Sequence, residues 1–280
     1  MAYFYHNNLR MHYLDQGQGS PVLLLHGLGS CAQDWSQQIE ALSGHHRVIA
    51  LDLRGHGESE TVSRPYQMKH LASDAMALMK SLELSAYQVV GFSLGGMVAF
   101  ELALQAKTTL QAMVIINSGP QVAGMSRSLR WQLGLRLLVI KMLGMRRLGH
   151  LIGKKLFPLE GQQALRSRFE ARMTAMDATS YKLALQAIAA FSVQQHIHLI
   201  QQPTLVISAD QDYTPVSMKA DYVQNMPNAV LEVIADSRHA TPMDQPDKLN
   251  FILSQFLLAH EQVKKSHPSD KFSHHTSLQQ

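Results

Sequence analysis

One segment restricts the fold more than any other: Val89-Val90-Gly91-Phe92-Ser93-Leu94-Gly95-Gly96. The apolar run Tyr87 to Val90 reads as a buried strand, and a helical pattern, Met97 to Leu104, begins almost at once. A chain that passes from strand to helix in so few residues has to turn sharply. The turn brings two backbones together, and only glycine has no Cβ to clash there. A serine at the apex projects its hydroxyl clear of the sheet, and the following helix points unpaired backbone N–H groups towards it. Alone, G-x-S-x-G can be a glycine-serine turn and nothing more, so its meaning depends on its surroundings.

Those surroundings alternate. A β-hairpin is expected over residues 3–15, with strands near 21–25, 47–53, 86–91, 111–117, 203–208 and 229–234. Helical stretches fall between them, near 34–43, 67–82, 94–106, 215–225 and 245–260. This rhythm predicts the α/β class, with a mostly parallel, doubly covered sheet of eight strands. From Gly119 to Val193 the rhythm stops, and the chain reads as several helices without a convincing strand.

Three further segments place polar groups just past predicted strands, where ligand crevices of open α/β sheets lie. Val22 to Leu25 runs into His26-Gly27-Leu28-Gly29, a loop able to present the Leu28 N–H to an oxyanion beside that of Leu94. Pro203 to Ser208 ends in Ala209-Asp210-Gln211-Asp212, and Val230 to Ile234 in Ala235-Asp236-Ser237-Arg238-His239. Serine, acid, histidine is the chain order of one nucleophilic triad. Ser93 needs a base, His239 can supply it, and a carboxylate has to hold the imidazole's tautomer. Asp236 lies too close to His239 in sequence to reach around it easily.

The segments LLLHGLG (23–29), DLRGHGES (52–59), GFSLGG (91–96), PTLVISADQD (203–212) and ADSRHATPMDQP (235–246) resemble those of α/β-hydrolases, of the broad esterase, lipase and lactonase group. The resemblance implies an eight-stranded core over residues 1–118 and 196–263 and a helical cap, or lid, over 119–195. It implies Asp212, after the seventh strand, as the acid in preference to Asp210. The sixth strand, the alternative place for it, ends in Asn117-Ser118 and offers no carboxylate. Asp52 becomes part of a structural loop motif. Serine at the elbow argues against haloalkane dehalogenases and epoxide hydrolases, whose relatives of this fold use aspartate there. The expected chemistry is hydrolysis of a carboxylic ester with an apolar acyl group, through an acyl-enzyme. Lactone, thioester, carbon–carbon and lyase chemistry on the same triad stay open, and a non-catalytic binding protein is the remaining alternative. Phe92 and Trp35, in or near the site loops, are expected to form an apolar pocket wall.

Most of the 15 histidines are expected to be structural. His26 braces its loop, and His56 sits in the tight turn Arg54-Gly55-His56-Gly57. The pair His196 and His198 lacks a carboxylate or cysteine at ligand spacing, so no metal is expected, and no cofactor. A single cysteine, Cys31, excludes an intramolecular disulfide framework. The first residues show no signal pattern, and no apolar run approaches membrane-spanning length, so the cytoplasm is the expected compartment. The polar tail over 264–280 is expected to be disordered.

Charge is uneven. Residues 119–195 hold twelve Lys and Arg against three acids, Glu160, Glu170 and Asp177, while the remainder holds thirteen bases and eighteen acids. Such an asymmetry suggests an anionic partner; no nucleic acid is expected. On one straight helix, Arg130, Arg136, Lys141, Arg147, Lys154 and Lys155 would share a sector, but Gly134, Gly144, Gly149 and Gly153 argue against a single straight helix. Three readings of the basic cap compete: a solvated face with no partner, a surface resting on anionic membrane, and a dock for an acidic carrier protein.

Overall fold

The computed structural model describes residues 2–122 and 127–261. The expected tail over 264–280 and the start of the cap, 123–126, lie outside them. Eight strands form one sheet in the order β1-β2-β4-β3-β5-β6-β7-β8. They are β1 (Ala2–His6), β2 (Leu9–Gln16), β3 (Ser20–Leu25), β4 (His46–Leu51), β5 (Tyr87–Phe92), β6 (Leu110–Ile116), β7 (Thr204–Ala209) and β8 (Ala229–Ile234). The hairpin β1–β2 runs antiparallel and β2 joins β4 antiparallel, while every pairing from β4 through β3 and β5 to β8 is parallel.

The central strands are apolar on both faces because both are covered. On one side, Leu23, Val89 and Ile115 pack with α2 (Met68–Ser81) and α3 (Leu94–Gln105). On the other, Val22, Val90 and Val114 meet α1 (Ser36–Leu42) and a later helix, Pro246–Ala259. All six residues of β5 and of β7 are buried, so their C-terminal ends are firmly placed.

Between β6 and β7 the chain makes the expected helical insertion. Its ends are tied together at the base, with Val122 N–H donating to the Phe191 carbonyl and Val193 N–H to that of Pro120, both at 2.8 Å. The insertion comprises α4 (Arg127–Leu156), α5 (Gln163–Ala175) and α6 (Ala178–Ala189). Asp177 caps α6 by accepting the Ser180 N–H at 2.6 Å. Of the four glycines in α4, only Gly144 breaks it, at φ +74°. Gly149 and Gly153 instead let α4 approach α5 closely: a Cβ on Gly149 would sit 2.7 Å from that of Met173. Helices α7 (Val216–Val223), α8 (Thr241–Asp244) and α9 (Pro246–Ala259) complete the chain.

The break at Gly144 and the packing of α4 divide the cap's bases. Lys141, Arg147, Lys154 and Lys155 are exposed, but Arg136 turns inward and lines a cavity, so these residues do not share one sector. The Arg130 side chain lies outside the described residues.

Candidate active site

Ser93 follows β5 directly and is the residue before α3, with φ +53° and ψ −111°. A non-glycine residue at positive φ is uncommon and is held there by its surroundings. The glycines provide the room: a Cβ on Gly91 would collide with the Gly95 carbonyl, and one on Gly95 with the carbonyl of Leu25 in β3. The Ser118 hydroxyl donates to the Ser93 carbonyl at 2.7 Å and ties the turn to the end of β6.

Three chain segments meet at this turn. His239 Nε2 is 2.9 Å from Ser93 Oγ, and His239 Nδ1 is 2.5 Å from Asp212 Oδ1. Of the acids weighed from sequence, Asp212 is therefore the one that touches the imidazole. Asp210 accepts the backbone N–H groups of Asp236 and Ser237, both at 3.0 Å, and shapes the loop carrying His239. Asp236 contributes no side-chain contact to the ring. It occupies positive φ, +59°, at the turn.

Two residues that sequence reasoning did not single out hold this relay. Lys219, on α7, lies buried with Nζ 2.5 Å from Asp212 Oδ2, and also donates to the Thr214 carbonyl at 2.7 Å and hydroxyl at 2.6 Å. Burial opposes ionisation of Asp212, but His239 and Lys219 together outweigh it and hold the carboxyl well below its usual range. The Asp212 carboxylate also accepts the Tyr213 N–H at 2.7 Å and the Thr214 hydroxyl at 3.0 Å. The second is Asn117. Its Nδ2 donates to the His239 carbonyl at 2.9 Å and the Thr241 hydroxyl at 2.7 Å, while its Oδ1 accepts the Ala209 N–H at 2.7 Å. It binds the ends of β6 and β7 to the histidine loop. Neither residue carries a sequence signal, because each partner is brought near only by the fold.

Two cavities flank Ser93. The larger, about 370 Å³, is mostly apolar, with Met97, Leu133, Leu185, Ile188 and Met218 in its wall. The smaller, about 60 Å³, is closed by Phe92, Ile152, Phe169, Met173 and Met243. Leu28 lines both, beside Ser93, while Leu94 opens α3 immediately after the serine. Phe92 thus reaches the site, with its ring centroid 5.3 Å from that of His239. Trp35 does not. It belongs to a 3-10 turn (Ala32–Trp35) that points it into the core beneath the site, where it packs with Val22, Leu24 and Ile39. Its nearness in sequence to the loop at Gly27-Leu28-Gly29 does not carry over to direction. The Tyr213 ring stacks on His239 at 4.3 Å and an interplanar angle of 22°.

The remaining loop motifs are structural. Asp52 accepts from Ala32 N–H at 2.6 Å and Glu58 N–H at 2.9 Å and pairs with His12 at 2.8 Å. His26 accepts the Leu53 N–H at 3.1 Å on Nε2, which leaves Nδ1 as the donor to the Gly27 carbonyl at 2.8 Å. Burial lowers the pKa of His26 and pushes that of His56 down to about 3. Cys31 is buried beside this loop, and burial raises its thiol to about 11, which makes it unreactive. Among the described residues, no cluster of three or more His, Cys, Asp or Glu side chains could hold a metal ion. No helix among them is long and apolar enough to cross a membrane.

The chain belongs to the α/β-hydrolase fold family, whose model matches residues 20–246. It is similar to "Putative carbamate hydrolase RutD" of Pantoea ananatis, at 30% identity over 92% of this chain and 96% of that protein. A shorter match links it to (E)-2-((N-methylformamido)methylene)succinate hydrolase of Acinetobacter baylyi, at 32% identity over 40% of this chain. That match spans 42% of the relative's length. Among solved structures, the enol-lactonase of Burkholderia xenovorans superimposes with a TM-score of 0.86 at 23% identity, covering 92% of this chain and all of the other. At that identity the likeness establishes the fold.

Proposed function

We propose that the protein is a serine hydrolase acting on carboxylic esters through an acyl-enzyme. The observation that carries this reading is the unbroken contact from Ser93 Oγ to His239 to Asp212, open to an apolar cavity. Ser93 Oγ attacks the acyl carbon as His239 Nε2 takes its proton. The developing oxyanion is received by the backbone N–H groups of Leu28 and Leu94. His239 returns the proton to the leaving alcohol, and water repeats the sequence to release the acid. Asp212 stays ionised throughout and stabilises the imidazolium without taking its proton. The relatives are named for a carbamate, a succinate derivative and an enol-lactone, all open to acyl transfer, which supports the reaction class.

The test is initial rates on p-nitrophenyl esters from acetate to palmitate, with a lactone and a carbamate alongside. Ser93→Ala and Asp212→Ala are each expected to lose at least ~10³-fold in turnover, whereas Asp210→Ala keeps the relay. Undiminished rates in Ser93→Ala would refute the reading.

A second observation favours a place for the enzyme. Trp131, Leu135, Leu138 and Met142 recur at helical spacing on α4 and are 42% to 68% exposed, with Lys141, Arg146 and Arg147 exposed beside or beyond them. The opposite face of that segment lines the site. We infer that this stripe rests on an anionic lipid surface, the apolar residues entering the headgroup boundary and the bases meeting lipid charge. A second copy of the chain would set base against base. Co-sedimentation at low salt with phosphatidylglycerol vesicles is expected, and not with phosphatidylcholine. Combined Trp131→Ser, Leu138→Ser and Met142→Ser should abolish it. Equal binding to both vesicles would sink the idea, as would vesicle-free binding to an acidic carrier protein.

A further inference from the structure

Among the described residues, five line both cavities: Leu28, Ser93, Tyr213, His239 and Arg136. The first four belong to the nucleophile, its base, the ring stacked on that base and the oxyanion loop. Arg136 has no part in the reaction as written, yet it stands at the same junction. It reaches there from α4, in a segment whose neighbours Leu133 and Leu137 are apolar. The Tyr181 side chain, buried under α4, lies near the guanidinium: burial raises its pKa, and the Arg136 charge pulls the other way. Among the described residues, no carboxylate pairs with Arg136. The other cap arginines beneath it do find acids or carbonyls: Arg172 and Arg168 pair with Asp34, and Arg166 donates to the Phe157 carbonyl at 2.6 Å.

A guanidinium drawn into an apolar cavity loses hydration, and within a hydrophobic wall an arginine costs stability unless something anionic answers it. Its planar fork suits a carboxylate, which it can take through two parallel N–H···O bonds. The nearby charges are mixed but predominantly basic, Asp221 being the other carboxylate in the wall of the larger cavity besides Asp212. Lys155 Nζ lies 4.6 Å over the Tyr213 ring, and Asp212 is already matched by Lys219. An anion entering the junction therefore meets net positive charge.

Building on the proposed hydrolase activity, we propose that Arg136 binds a free carboxylate on the substrate. The substrate class is then a half-ester or lactone of a short dicarboxylic or oxo acid. The acyl carbon lies at Ser93 and the carboxylate lies a few carbons away, at Arg136. The apolar wall of the larger cavity covers the intervening methylenes. Arg136 is an anchoring residue and takes no proton.

Two measurements test this. The first compares monomethyl glutarate with dimethyl glutarate in wild type, Arg136→Gln and Arg136→Lys. Wild type is expected to prefer the monoanion. Arg136→Gln should raise its KM by at least ~30-fold while changing kcat/KM on the neutral diester less than ~3-fold, since a lost charged hydrogen bond falls on the anion alone. Arg136→Lys should restore part of the preference. The neutral diester also reports folding. The second is calorimetric binding of glutarate to Ser93→Ala, which needs no turnover, with Arg136→Gln added to that variant. Binding abolished by Arg136→Gln supports the anchor. An unchanged monoester-to-diester ratio in Arg136→Gln, or glutarate binding indifferent to it, overturns the anchor and leaves the hydrolase reading standing. Diester hydrolysis that survives Ser93→Ala would remove the hydrolase reading instead, and glutarate binding then decides the anchor separately.

Discussion

The sheet and the cap bury their residues by opposite means. In the core, β5 and β7 are buried at every position, and the turn at Ser93 is walled by backbone from three elements. In the cap, α4 packs Ile140, Met145 and Leu148 inward but leaves Trp131, Leu138 and Met142 to solvent. The core is over-determined, which lets it hold a serine at positive φ. The cap is a single layer, so one face of α4 builds the cavity wall while the other remains available for contact. A turn fixed on all sides and a helix fixed on one thus set the two regions apart.

A matched pair of glycine substitutions sharpens the comparison. Gly95→Val drives a side chain into the Leu25 backbone and is expected to cost more than ~4 kcal/mol, leaving little folded protein at 37 °C. Gly149→Val meets the Met173 side chain between two cap helices and should cost roughly 1–3 kcal/mol, with a measurable thermal transition retained. Equal losses would mean that cap and core unfold as one unit.

Acid should separate the regions less strongly. The core loop holds His26 and His56, both with folded pKa values lowered by burial, His56 to about 3. The unfolded chain takes up these protons near the ordinary value of about 6.5, while the folded chain refuses them. Their contribution to stability is whole above that value and is lost as pH falls towards the folded one, by about 1.4 kcal/mol per pH unit for each ring. The urea midpoint is expected to fall from pH 7 to pH 5, and His56→Asn to flatten the fall. A midpoint equally steep in that variant would move the acid sensitivity elsewhere.

The smallest effect is expected on the outer face of α4. The three serine substitutions there should change stability within ~0.5 kcal/mol, since they remove little packing, although they abolish vesicle binding. A large loss of Tm would show that the stripe is covered within the protein.

Much of the site was legible in sequence because its determinants are local. G-x-S-x-G needs its glycines within the turn itself, and β3, β7 and β8 each end in the loop that bears a site residue. Strand periodicity located those ends along the chain, the resemblance chose Asp212 over Asp210, and the sheet order brought them together. Trp35 shows the limit: five residues past Ser30, it turns into the core because the 3-10 segment rotates it away.

What the sequence by itself determined is the order and kind of elements, the strand-serine-helix elbow, and the break in the cap at one of its glycines. These follow from short-range sterics and hydrophobic period, which act between near neighbours in the chain. Only the tertiary structure decided that Lys219 pairs with Asp212, that Asn117 holds the His239 loop, and that Arg136 faces inward among bases that face out. The first two depend on which partner the packed fold brings within hydrogen-bond reach, at sequence separations of 7 and 122, and the third on how α4 packs over the site.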